Sequence, residues 1–246
     1  MSLPEKLKHD AIIEALLEVR FDTASAMAPE IVVGLLAGCS AWKEFSPKRL
    51  PLADIPPPVR DMEPSFRYQP IIELVTPNQD SKVKLGEKVV SLHVFKPYCG
   101  WNVFLPRLTQ LIDHLFGVIP GANVTRLGLR YLNAFLPSLH GINAISELQV
   151  SVSVAGAPVQ ESFNVNYLSP VDSKTMCLVR VASPDFVVGD VPQEAKGFID
   201  VDVFTPTGFA SSDKVEIIEW LNAAHAYEKN AFFSLLSEDQ IRGMNI

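Results

Sequence analysis

Ten residues near the amino end, Ile12 to Phe21, constrain the fold more than any other stretch, because they alternate without a break. Ile13, Ala15, Leu17, Val19 and Phe21 fall on one side, and Ile12, Glu14, Leu16, Glu18 and Arg20 on the other. Glu, Ala and Leu also tolerate a helix, but a period of two with one wholly apolar face is the pattern of a strand laid on a core. Such a strand turns its charged side chains away from that core.

The pattern returns twice. In Val124-Thr125-Arg126-Leu127-Gly128-Leu129-Arg130-Tyr131-Leu132-Asn133, Arg126, Gly128 and Arg130 share one strand face and Leu127, Leu129 and Tyr131 the other. Two guanidiniums flanking a position without a side chain could seat a phosphate or carboxylate between fork-like donors. Alternatively, both arginines pair with acids across the sheet, Glu14 and Glu18 among them, and the glycine marks a bulge or close packing. The second arrangement is the commoner one. In Phe198-Ile199-Asp200-Val201-Asp202-Val203-Phe204, Asp200 and Asp202 share a face ~7 Å apart. That spacing suits Mg²⁺ or Mn²⁺ held with substrate phosphates, and equally suits a strand facing solvent. Arg180, within Leu178-Val179-Arg180-Val181, adds another strand cation. The set Glu14, Glu18, Arg20, Arg126, Arg130, Arg180, Asp200 and Asp202 balances four acids against four bases, which favours mutual pairing over an open anion site.

Further strands are expected at Arg67–Thr76, Ser81–Leu85, Lys88–Phe95, Leu148–Val154, Glu161–Tyr167 and Met176–Ala182, with strands at 123–135 and 197–204 around the charged motifs. Helices are expected at Pro29–Trp42, Trp101–Phe116 and Ser212–Leu236, the last followed by a short helix announced by a Ser237/Gln240 capping box. The prolines between Lys43 and Pro70 argue for a long ordered loop there. The order is β-α-β-β-β-α-β over 1–137 and β-β-β-β-α over 138–246. This reads as one α+β domain over 1–246, or two structural halves, with predominantly antiparallel sheet, two helices in the first half and a long C-terminal helix.

On that long helix, Ile218, Leu221, His225, Glu228, Phe232 and Leu235 follow three-and-four spacing, so His225 and Glu228 interrupt an apolar stripe. A histidine one turn from a carboxylate can act as a general base, but it more often forms a buried pair, here with an arginine from the sheet as a further partner. Tyr98 and Trp101, at a turn feeding the second long helix, suit core packing or the sealing of a pocket. Phosphate-loop, dinucleotide, serine-hydrolase and zinc-protease motifs are absent, and His9, His93, His114 and His140 are scattered.

A net charge of −7 argues against nucleic acid or an anionic membrane as partner. Ile31–Trp42, the longest apolar stretch, is short of the ~20 residues a spanning helix needs. The segment MSLPEKLKHD lacks the apolar core of a secretory signal. Cys39, Cys99 and Cys177 lie far apart and read as reduced thiols of a cytoplasmic protein.

The charged strands resemble those of the triphosphate tunnel metalloenzymes, whose first strand carries alternating glutamates and a basic residue. Here Leu16 stands between Glu14 and Glu18, and Arg20 takes the place of that family's lysine. A broader resemblance, through 83–93, 98–101, 126–133 and 224–232 with the 12–21 strand, is to a sporadically distributed bacterial protein family with no established activity. It implies a bacterial cytosolic protein, transfers no catalytic role, and draws attention to Arg126, Arg130, Asn133 and His225. The expectation is an interaction or ligand-binding protein without catalysis of its own, a homodimer through the proline-rich loop or a sheet edge being one arrangement. Its candidate binding residues are Glu14, Glu18, Arg126, Arg130, Asn133, Arg180, His225 and Glu228, with no cofactor. The alternative is a metal-dependent phosphohydrolase or nucleotide-processing enzyme with Mg or Mn on Asp200 and Asp202.

Overall fold

The computed structural model describes residues 3–4, 7–24, 27–187 and 191–245, so part of the amino-terminal segment read above lies outside the described residues. In chain order the elements are β1 (Ile12–Asp22), α1 (Pro29–Ala37), β2 (Ser46–Arg49), α2 (Pro57–Met62), β3 (Ile72–Val75), β4 (Ser81–Leu85), β5 (Val89–Phe95), α3 (Trp101–Val118), β6 (Asn123–Phe135), α4 (Pro137–His140), β7 (Ser153–Val154), β8 (Ala157–Pro158), β9 (Asn164–Asp172), β10 (Thr175–Ala182), β11 (Gly197–Phe204), α5 (Lys214–Ser234) and α6 (Glu238–Gly243). Nine strands form one sheet in the order β2-β3-β4-β5-β1-β6-β11-β10-β9, and β7 and β8 form a separate hairpin. Every neighbouring pair is antiparallel. The protein is therefore α+β, with a long helix near its C-terminal end.

Alternation in β1 decides which face is covered. Ala15, Leu17, Val19 and Phe21 are fully buried, while Glu14, Leu16, Glu18 and Arg20 stay partly accessible on the opposite face. The buried face packs beneath helices. α5 lies on β6, β11 and β10, α1 reaches β4, and α3 touches both helices. In α3, Phe104, Leu108, Leu111, Ile112 and Leu115 recur at three-and-four spacing, so one stripe enters the core. β6 pairs with β11 from Gly128 and Phe204 through Phe135 and Gly197, which joins strands from both ends of the chain in one sheet.

Three expectations are corrected. Residues up to 136 hold α1, α2 and α3, one helix more than expected. The proline-rich stretch contains both β2 and α2: Pro57 occupies the first turn of α2, where the missing N–H has no intrahelical partner to lose, and Pro47 lies on β2, an edge strand. The strand expected at Leu148–Val154 shrinks to the two residues of β7. The capping box is present as read, with Gln240 N–H donating to Ser237 Oγ and Ser237 N–H to Gln240 Oε1.

Candidate functional site

β6 carries side chains to both faces of the sheet, and the two sides differ in kind. On the face turned away from α5, Arg126 Nη1 donates to Glu18 Oε1 at 2.9 Å, and Arg20 Nε donates to the same oxygen at 2.8 Å. Arg126 Nη2 also lies 3.6 Å from Asp202. Arg130 forks onto Asp200, with Nε 2.7 Å from Oδ1 and Nη2 2.5 Å from Oδ2. Two parallel charge-assisted bonds make this the strongest pair of the face.

Glu14 joins through a residue the sequence had left among scattered histidines: His93 Nδ1 is 2.7 Å from Glu14 Oε1, and His93 Nε2 is 2.8 Å from Ser91 Oγ. Burial works against ionising Glu14, but the His93 hydrogen bond and nearby positive charges prevail, so its carboxyl pKa lies below the ordinary value. Burial also lowers the pKa of His93, leaving its ring neutral at pH 7. Nδ1–H then donates to Glu14 and Ser91 donates to Nε2. His93 was legible only through register, since β5 places it opposite Leu16 on the same face as Glu14 and Glu18.

The anion seat considered at Gly128 is closed. A Cβ there would stand 2.7 Å from Arg126 Nη1, so the guanidinium itself lies over the glycine. Asp202 is pushed up to about 6 by burial, against the pull of Arg126 and Arg130. Asp200 and Asp202 share a face as read, but Arg130 occupies both oxygens of Asp200. Arg180 bonds away from the network, to Asn164 Oδ1 at 2.9 Å and to the Phe186 carbonyl. The recess between Arg130, Arg180 and Asp200 is about 70 Å³.

The other side of β6 opens on a cavity of about 80 Å³ between the amino-terminal segment, the Tyr98–Trp101 turn, β6 and α5. Glycine permits that turn, since Gly100 has φ +87° immediately before α3. Tyr98 and Tyr131 hydroxyls lie 3.0 Å apart, and Tyr131 Oη is 3.4 Å from His225 Nδ1. Trp101 stacks on His225 with ring centroids 4.1 Å apart. Asn133, buried on β6, donates to the Ile199 carbonyl and lines the same cavity.

Glu228 completes the wall, 5% exposed, with Oε2 3.8 Å from His225 Nδ1. Burial pushes its carboxyl up to about 8 and pushes His225 down to about 4, so both are neutral at pH 7 and their contact is not an ion pair there. The arginine considered as a third partner is on the opposite face of the sheet. The buried stripe of α5 runs through Ile217, Trp220, Leu221, Ala224, Glu228, Phe232 and Phe233; Leu221, Glu228 and Phe232 are buried as the sequence spacing reads, while Ile218, His225 and Leu235 are half-buried at its edge, His225 at the cavity's rim.

Of the candidate residues, then, Glu14, Glu18, Arg126, Arg130, Asp200 and Asp202 gather on one face, with Arg180 beside Asp200 on that face but bonded outward, and Asn133, His225 and Glu228 gather on the other. Tyr131 was legible only as an apolar-face residue, and Asp10, which also lines the cavity, carried no periodic signal. Among the described residues no helix is long and apolar enough to cross a membrane. Neither protein-family models nor curated proteins yield a match to the chain.

Proposed function

We propose that this chain is a ligand-binding protein without turnover of its own, and that its site is the cavity between Tyr98, Trp101, Tyr131, Asn133, His225 and Glu228. One observation carries this reading: burial keeps the Glu228 carboxyl of the cavity wall protonated at pH 7 despite Lys229 nearby, with His225 no closer than 3.8 Å, whereas Glu14, Glu18 and Asp200 on the open face each hold a hydrogen bond of 2.9 Å or less to a histidine or arginine. A buried polar group without a strong partner is costly, and a ligand that supplies one recovers the cost. Three free thiols, Cys39, Cys99 and Cys177, support a reducing compartment such as a bacterial cytoplasm.

The metal-dependent alternative draws less support, because Mg²⁺ or Mn²⁺ at Asp200 would have to displace the Arg130 fork. Self-association is favoured by one feature, the β9 edge, whose nine residues expose Tyr167 and Leu168. The ligand-binding reading is tested by a thermal-shift screen of small polar and aromatic molecules of mixed charge. At least one should stabilise the protein saturably, with the effect lost in Asn133→Leu and kept in Arg130→Gln. No saturable stabiliser, or stabilisation lost only in Arg130→Gln, overturns the reading.

A further inference from the structure

Resting on that reading, we infer that the cavity takes a small organic ammonium ion, with the Glu228 carboxylate as its counter-ion and the Tyr98, Trp101 and Tyr131 rings as its walls. Geometry sets both the class and the size. About 80 Å³ admits a headgroup such as trimethylammonium and excludes a nucleotide. Aromatic faces attract a desolvated cation through their quadrupoles, and Tyr98, Trp101 and Tyr131 all line this one cavity.

Charge points the same way. Among the described residues, the groups facing Glu228 are His225 and Lys229 on α5, Tyr131 and Asn133 on β6, Tyr98 before α3 and Cys177 on β10, with Asp10 on the same cavity wall. An anionic ligand would bring its charge against the Glu228 carboxyl, whereas a cation is attracted to that carboxyl once it ionises.

An ammonium that pairs with a carboxylate must find it ionised. Below about pH 8 the empty cavity holds Glu228 protonated, so binding there releases its proton to solvent. His225 is already neutral well below this range and both tyrosines ionise well above it, so the release belongs to Glu228. Affinity then rises about tenfold per pH unit between pH 6 and 8 and levels off above.

The test is isothermal titration calorimetry of the intact chain with choline chloride, the neutral isostere 3,3-dimethylbutan-1-ol and sodium acetate, at several pH values and in buffers of unlike ionisation enthalpy. Choline should bind at least tenfold more tightly than the alcohol, acetate should give no heat, and close to one proton should leave per choline at pH 6.5. Glu228→Gln should lose both the preference and the pH slope. Trp101→Leu, at a partly accessible position, should lose the preference and keep the slope. Equal binding of choline and the alcohol, tightest binding of acetate, or an unchanged slope in Glu228→Gln overturns the inference. If none of the three binds while the mixed screen yields a ligand sensitive to Asn133→Leu, the ammonium fails and the ligand-binding reading stands; if both experiments are empty, both fall.

Discussion

Within three residues, β6 presents Arg130 to one face of the sheet and Tyr131 and Asn133 to the other, and the two faces solve the problem of burying polar groups in opposite ways. Arg126 and Arg130 reach acids on β1 and β11, and even Asp200, only 8% exposed, has both oxygens held by the Arg130 fork. Tyr131 instead meets Tyr98 and His225 under α5, where Glu228 is so enclosed that neutrality is favoured over ionisation. The first arrangement is self-sufficient, and its many partners leave little for a ligand to add. The second is incomplete. Charge density on a surface is thus a poor guide to a site here, and the quieter face holds the unmet chemistry.

The comparison is broken most severely at Glu228. In the unfolded chain this carboxyl ionises near its ordinary value, while in the fold it holds its proton up to about pH 8. A raised carboxyl pKa contributes stability that is present at low pH and lost as pH rises toward the folded value. Between pH 6.5 and 8 the protein should therefore lose about 2 kcal/mol relative to Glu228→Gln over the same range. His93, His140 and His225, lowered from 6.5 in the fold, each add a few tenths of a kcal/mol of the opposite sign at the foot of this window, but equally in both proteins, so the difference isolates the carboxyl. Urea denaturation at each pH measures it.

On the paired face, Asp200→Asn removes the charge that the Arg130 fork grips, and should cost about 1.5 kcal/mol at pH 7 with no change in slope between pH 6.5 and 8. Gly128→Ala should cost about 1 kcal/mol, because the new methyl meets the Arg126 guanidinium and pulls it from Glu18. Combining Gly128→Ala with Glu18→Gln should cost less than the sum of the two changes, since both break the same bond. Arg180→Ala, outside the network, should move stability by no more than about 0.5 kcal/mol. A larger loss would place Arg180 within the network after all.

Much of this was legible in the sequence, for physical reasons that also mark the limit. A period of two is set by the pleat, so the charged faces of residues 14–20, 123–135 and 197–204 followed directly from alternation, and their mutual pairing from the balance of acids and bases; at the start of β1 a bulge between Ile12 and Glu14 reverses the reading, with Ile12 against the main core and Ile13 in a separate cluster with Leu132 and Phe198. What alternation cannot supply is register. His93 lies opposite Leu16 only because β5 pairs with β1, and no spacing along the chain brings Tyr98, Tyr131 and His225 together. Periodicity caught half of the α5 stripe, Leu221, Glu228 and Phe232, and set Ile218, His225 and Leu235 in it where the buried face runs through Ile217, Trp220 and Ala224. Prolines misled for a local reason. Pro57 sits where a helix tolerates it, so a run of prolines concealed a short helix and an edge strand rather than excluding them.

Amide NMR mapping with choline chloride at pH 8 tests the contrast between the two faces most directly. The account predicts shifts clustered at residues 98–101, 131–133 and 225–233, with residues 14–20 and 200–202 unmoved. Shifts confined to residues 14–20, 126–130 and 200–202 would place the site on the charged face and contradict it.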